Sequence, residues 1–187
     1  MAIQPTIATA RLVLRPFLLD DAAAVQRLAG ARQIAATTLN IPHPYEDGMA
    51  EAWIGGHRQA WDRGEQAAFA ITQSEAGLVG AIGLRIEAAH QRAELGYWIG
   101  VPYWNRGYAT EAAGAVLEFA FGELGLHRVH ASYLTANPAS GRVMEKVGMK
   151  REGLRRDHIL KWDEYHDLTI CGLLREDFAA RAAEVRA

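Results

Sequence analysis

Between Glu94 and Ala112 the chain reads E-L-G-Y-W-I-G-V-P-Y-W-N-R-G-Y-A-T-E-A, which describes a strand, a glycine- and proline-marked loop and an abrupt helix start. Gly100 and Pro102 end the strand. Beyond them Ala109, Ala112, Ala113, Val116, Leu117, Ala120 and Leu124 recur at spacings of three and four, so one side of the helix is apolar and packs on a sheet. The N–H groups of Arg106 to Ala109 then have no partners inside the helix, and the positive end of its dipole lies with them. Gly107 lets an anion approach the backbone. This is the layout of a diphosphate site, although a turn glycine would look the same. A carboxylate stands at the other end of the segment. Alternation places Leu95, Tyr97 and Ile99 on one strand face and Glu94, Gly96 and Trp98 on the other. With only Gly96 between it and Trp98, Glu94 borders space and could take a proton, directly or through a water. A solvent-facing glutamate paired with Arg92 accounts for the same pattern.

The elements that must position these groups are legible along the chain. Leu12 to Leu14 form a short strand ended by Pro16, and Asp20-Asp21 cap an alanine-rich helix through about Leu28. A long connection from Thr37 to Gly48, with Pro42 and Pro44, leads to a second helix over about Met49 to Arg63; such a connection more often covers a site than a core. Ala67 to Thr72 and Leu78 to Ile86 are strands joined by a turn at Ser74 to Gly77, followed by the strand Ala93 to Gly100. After the long helix, Val129 to Thr135 is a further strand. Asn137-Pro138 starts a helix that Gly148 closes, since Asn caps well and Pro fits the first helical position. Met149 to Leu160 and Glu164 to Leu174 make a last antiparallel pair, turned at Trp162-Asp163. The tail after Asp177 reads as helix or frayed end.

Composition narrows the classes. The 187 residues suit one domain with a substantial core. With 20 basic and 22 acidic side chains the net charge is −2, which gives no general attraction to nucleic acid or an anionic membrane. The single cysteine, Cys171, excludes an internal disulfide, and the seven histidines show no metal-binding spacing, so no metal is expected. Without a signal-peptide pattern or an apolar run near the roughly 20 residues of a membrane span, the expected location is cytoplasmic.

The segment W-N-R-G-Y-A-T-E-A, preceded by E-L-G-Y-W-I and followed at 135 to 149 by T-A-N-P-A-S-G-R-V-M-E-K-V-G-M, resembles the acetyl-coenzyme A-binding core of the GNAT N-acetyltransferases, in particular the RimJ/RimL type. The resemblance begins at T-A-R-L-V-L-R-P-F and ends at K-W-D-E-Y-H-D-L-T-I-C-G-L-L. It implies an α/β GNAT fold in one domain over 1–187, core about 9–176: a mixed, mostly antiparallel sheet of about seven strands flanked by about four helices, with a splayed central strand pair. One departure is Trp104, which stands where the family's Q/R-x-x-G-x-G/A motif has Gln or Arg. The resemblance implies that Arg106, Gly107, Tyr108, Ala109 and Thr110 hold the diphosphate of acetyl-CoA, and that the backbone of Trp98, Ile99 and Gly100 bonds the pantetheine arm. Many members donate a proton to the leaving thiolate from a tyrosine where this chain has Met144, and a thioether cannot donate. Ser140 resembles the serine proposed for that role in the Rim type; a serine bonded to its own helix backbone is the plainer alternative. Asn137 either caps the helix alone or also touches coenzyme A.

Acetyl transfer to an amine needs two reactants held together, a neutral nitrogen and relief of charge on oxygen and sulfur. The expected activity is direct attack on acetyl-CoA by a primary amine, most simply the N-terminal α-amine of a protein or peptide. A small-amine acceptor (polyamine, amino acid or aminoglycoside) is the second reading, with Glu46, Asp47 and Glu51 available to a polycation. A non-catalytic acyl-CoA sensor is the third. No nucleic-acid or membrane partner is expected, and a homodimer is left open. Trp53, Trp61 and Tyr45 are either an amine-binding wall or core packing, Cys171 is a buried packing residue, and His158 and His166 lie where the family contacts its substrate.

Overall fold

The apolar runs 67–71 and 78–82 are buried along their whole length because helices cover the sheet on both faces. The computed structural model describes residues 3–186. Its strands are β1 (Ile7–Ala8), β2 (Val13–Arg15), β3 (Gln66–Gln73), β4 (Gly77–Glu87), β5 (Arg92–Ile99), β6 (Arg128–Leu134), β7 (Lys150–Lys161) and β8 (Glu164–Leu174), in the spatial order β1-β2-β3-β4-β5-β6-β8-β7. The helices are α1 (Ala22–Ala29), α2 (Arg32–Thr37), α3 (Met49–Gly55), α4 (His57–Asp62), α5 (Tyr108–Gly122), α6 (Pro138–Lys146) and α7 (Arg175–Arg186). On one face Leu84, Leu95 and Phe69 pack with Val116 and Leu117 of α5 and Met144 of α6. On the other, Ala70, Ala81 and Trp98 pack with Val25 and Leu28 of α1 and Ile54 of α3.

The sheet has eight strands rather than about seven. The extra one is β1, two residues that pair Ile7 with Leu14 and Ala8 with Val13, too short for a periodicity to reveal. The helix expected over Met49 to Arg63 is divided at Gly55-Gly56 into α3 and α4, where two successive glycines lower helix propensity. The short α2 lies beyond Leu28, where the expected first helix ends, in a stretch read as loop. The turn at Trp162-Asp163 is a two-residue hairpin with both residues left-handed, φ 51° and 64°.

One irregularity positions the site. β5 and β6 run parallel, and their pairing holds at Arg92↔Arg128, Ala93↔Val129 and Glu94↔His130. Beyond Glu94, β5 continues to Ile99 against β4, while β6 continues to Leu134 against β8. The two strands therefore diverge in the middle of the sheet, which is the expected splay, and the backbone edge of β5 faces a gap.

Candidate functional site

The start of α5 is set by Gly107, which is left-handed at φ 79°, a conformation that side chains disfavour. The first helical residue is Tyr108, so the amides without helical partners are those of Tyr108, Ala109 and Thr110, and no side chain caps them. Arg106 lies before the helix: its guanidinium donates to Pro102 O and covers the Tyr103 ring, and its carbonyl accepts from Arg11. A β-carbon on Gly107 would stand 3.3 Å from Arg11 Nη2. Arg11 is itself held by Glu111, one turn into α5, which also accepts from Thr9 Oγ1 at 2.7 Å. Burial works to raise the Glu111 pKa, but the bonds from Thr9 and Arg11 outweigh it and hold the carboxylate below its ordinary range.

Arg106, Gly107, Tyr108, Ala109 and Thr110 open on a cavity of about 360 Å³ lined also by Trp98, Ile99, Asn137, Ser140, Arg142 and Lys146. Arg142 and Lys146 are four apart on α6 and so share a face. No carboxylate lines this cavity among the described residues. Free amides, a helix N-terminus and two or three cations at one mouth suit a diphosphate. Asn137 caps α6, accepting from Ser140 N at 3.3 Å, and its amide donates to Thr37 O at 3.2 Å. Gly100 is placed differently. Its N–H donates to Val79 O of β4 at 2.9 Å, and it is not among the lining residues. Because an antiparallel ladder uses alternate residues, Trp98 also turns its backbone to β4, whereas Tyr97 and Ile99 turn theirs to the gap. Trp104, the departure from the family motif, donates its indole N–H to Ile99 O at 2.6 Å and so ties the loop to the strand end.

A second cavity, of about 690 Å³, lies across the gap and is lined by Glu94, His130, Trp53, Met144 and Arg155 among others. The two cavities share Thr37, Thr38, Tyr97, Trp98 and Ser140. At their junction the Tyr97 hydroxyl is 2.7 Å from Ser140 Oγ. Burial pushes the Tyr97 phenol up to about 12, against the hydrogen bond with Ser140. Sequence reasoning missed Tyr97, which alternation grouped with Leu95 and Ile99 as core. It also missed Arg142 and Lys146, whose spacing of four beside the capped helix start was the available signal. Met144 is buried beside this junction, where Tyr97 brings in from β5 the phenol that position 144 lacks.

Glu94 is paired with Arg85, its register partner on β4, while Arg92 is paired with Glu87. His130 stands beside Glu94 on β6; burial lowers its pKa, with the Glu94 charge opposing, so the imidazole is neutral at pH 7. Glu46, Asp47 and Glu51 do not line either cavity. Of the aromatic candidates, Trp53 lines the larger cavity and meets Phe17 edge-on at 5.0 Å, whereas Trp61 stacks on Phe119 in the core. Burial raises the Cys171 thiol pKa. His158 lines the larger cavity and His166 does not. Among the described residues no group of three or more His, Cys, Asp or Glu could hold a metal, and no helix is long and apolar enough to cross a membrane.

A splayed mixed sheet with an uncapped helix start beside the gap is the architecture of an acyltransferase fold. Residues 11–150 match the acetyltransferase (GNAT) domain family, and the chain belongs to it as an N-acetyltransferase. It is 34% identical over 172 residues to the uncharacterised N-acetyltransferase YnaD of Bacillus subtilis (strain 168), covering 92% of this chain and 98% of that one. It is 29% identical over 84 residues to the ribosomal protein uS5-alanine N-acetyltransferase of Escherichia coli (strain K12), 45% of this chain and 43% of that one. The structure of Mycobacterium smegmatis RimJ in complex with CoA-disulfide superposes with a TM-score of 0.80 at 22% identity, covering 96% of this chain and 95% of that one.

Proposed function

We propose that this chain moves an acetyl group from acetyl-CoA to the N-terminal α-amine of a protein or peptide, by direct attack in a ternary complex. The smaller cavity takes the coenzyme, with the amides of Tyr108 to Thr110, Arg106, Arg142 and Lys146 toward its diphosphate and the gap-facing backbone of Tyr97 and Ile99 toward the pantetheine arm. The larger cavity takes the acceptor, and the two reactants meet where Tyr97 and Ser140 line both.

An α-amine has a pKa of about 8, so part of it is already the neutral nucleophile near pH 7. Attack forms the C–N bond, the carbonyl re-forms, and the C–S bond breaks. The nitrogen gives up its extra proton toward Glu94, directly or through water, with neutral His130 beside it. A phenol at about 12 cannot surrender its proton outright to a thiolate, whose pKa is about 8.5. The Tyr97–Ser140 pair therefore stabilises the leaving sulfur by donating a hydrogen bond, and the proton that ends on sulfur is the one lost by the amine.

The acceptor assignment is carried by the wall of the larger cavity. Its single carboxylate among the described residues, Glu94, is bound to Arg85, so a polyamine finds no acidic surface there. The uS5-alanine N-acetyltransferase, a relative whose name gives a ribosomal protein as its substrate, supports the same assignment. Thiol release measured across N-terminal peptides and polyamines, with mass spectrometry of the products, tests it. Peptide turnover with acetate on the α-nitrogen is expected; turnover of spermidine alone would overturn the acceptor.

A further inference from the structure

The larger cavity has a chemistry of its own beyond admitting an amine. Besides the phenols of Tyr97 and Tyr133, its ionisable lining consists of Arg85, Glu94, His130, Arg155 and His158 among the described residues. Arg85 and Glu94 neutralise each other, and burial keeps His130 in its neutral form at pH 7. The cation left over is Arg155. Among the described residues its hydrogen-bond partner is His158, Nη1 to Nε2 at 3.3 Å, and a histidine carries no negative charge to cancel that of the guanidinium. The backbone explains why Arg155 and His158 both reach the cavity. The β7–β8 register shifts between Arg155 and Ile159, and Asp157 within that stretch is left-handed at φ 49°. A bulge of this kind interrupts strict alternation and re-aims side chains. None of the carboxylates on the same hairpin, Glu152, Asp157, Asp163, Glu164 and Asp167, lines the cavity; Asp167 instead accepts the Asp157 N–H at 2.9 Å.

We propose that Arg155 reads a carboxylate on the acceptor, so that the preferred substrate is a peptide whose N-terminal residue is followed by Asp or Glu. This rests on the larger cavity being the acceptor side of the transfer reaction. A carboxylate next to the amine would complete the charge of Arg155 in a partly enclosed site, and a lysine at the same place would be repelled by it.

Three hexapeptides identical except for Glu, Gln or Lys at the second position provide the test, with kcat/KM measured by thiol release at saturating acetyl-CoA. For the native enzyme the expected order is Glu, Gln, Lys, spanning on the order of tenfold at low salt and narrowing as salt rises. Arg155→Glu should reverse the order and Arg155→Gln should flatten it. Arg155 is exposed on its strand, and circular dichroism checks that both variants fold. Equal kcat/KM for the three peptides in the native enzyme, or an unchanged Glu-over-Lys preference in Arg155→Glu, overturns the proposal while leaving peptide acetylation intact. Should a variant not fold, the native series and its salt dependence still decide. Absence of thiol release with every peptide would instead overturn the acceptor assignment beneath it.

Discussion

The two cavities on either side of the gap are built from different materials. The smaller one uses backbone: helix-start amides, a left-handed glycine, the free edge of a strand, and cations at its mouth. The larger one uses side chains from distant elements, Phe17, Trp53, Glu94, His130 and Arg155 among them. Backbone groups are indifferent to side-chain substitution, so a coenzyme common to many enzymes can be held by a short local pattern. An acceptor that differs from enzyme to enzyme is recognised by side chains, and these can change without disturbing the sheet.

The largest expected break falls on the coenzyme side. Gly107→Glu places a side chain and a charge at the helix mouth in a left-handed position, and coenzyme A affinity measured by calorimetry should fall on the order of 100-fold or more. Circular dichroism should stay native. Near-normal affinity in a folded variant would move the diphosphate elsewhere and undo the contrast between the cavities.

Glu94→Gln should act on the other side, lowering kcat by roughly 10²-fold with coenzyme A affinity little changed. If kcat and its acidic limb are unaltered from about pH 6 to 9, Glu94 is only the partner of Arg85.

At the junction, Tyr97→Phe and Ser140→Ala should each slow the single-turnover acetyl-transfer step on the order of 10- to 100-fold. Because the two hydroxyls form one bonded unit, the double variant should be little slower than the worse single one. With the Tyr97 phenol at about 12, no alkaline limb from its ionisation should appear up to about pH 10. A transfer step unaffected in both single variants would mean that water stabilises the sulfur and that Ser140 only finishes the helix start.

The smallest effect sharpens the comparison by pH. His57 is buried against Phe17 and Trp53, ring centroids 5.3 and 4.5 Å away, and neither ring nitrogen has a hydrogen-bond partner among the described residues. Burial lowers its pKa to about 4, below the ordinary 6.5. Its stabilising contribution is therefore complete above pH 6.5 and is lost as pH falls through about 4. Since Phe17 and Trp53 line only the larger cavity, acidification through about pH 4 should raise the acceptor KM a few-fold once the falling neutral fraction of the amine is divided out, and leave coenzyme A affinity little changed. His57→Phe should remove the part of the pH dependence that remains after that division.

Much of the coenzyme side was legible because its determinants are consecutive. The glycine before α5, the three-and-four spacing within it and the Asn137-Pro138 cap each act within a few residues of themselves. The helix starts at Tyr108, one residue before the first apolar position of that spacing, with the left-handed Gly107 as its N-cap. Glu94 was legible as a carboxylate at the gap, but its partner was not. Arg92 and Arg85 were both available, and strand register assigned Arg92 to Glu87 and Arg85 to Glu94.

The sequence by itself therefore determined the fold family, through its resemblance to the GNAT motifs, and the helix start after Gly107 and the strand beside it, since hydrogen bonding and periodicity along a continuous chain specify such local elements. Only the tertiary structure decided which distant groups meet. Tyr97 joins Ser140 across 43 residues, Arg11 joins Glu111 across 100, and the β7 bulge carries Arg155 and His158 to the wall of the larger cavity. Such meetings depend on register, on where a sheet opens and on which helix covers which face. Those are properties of the packed whole, and no local pattern encodes them.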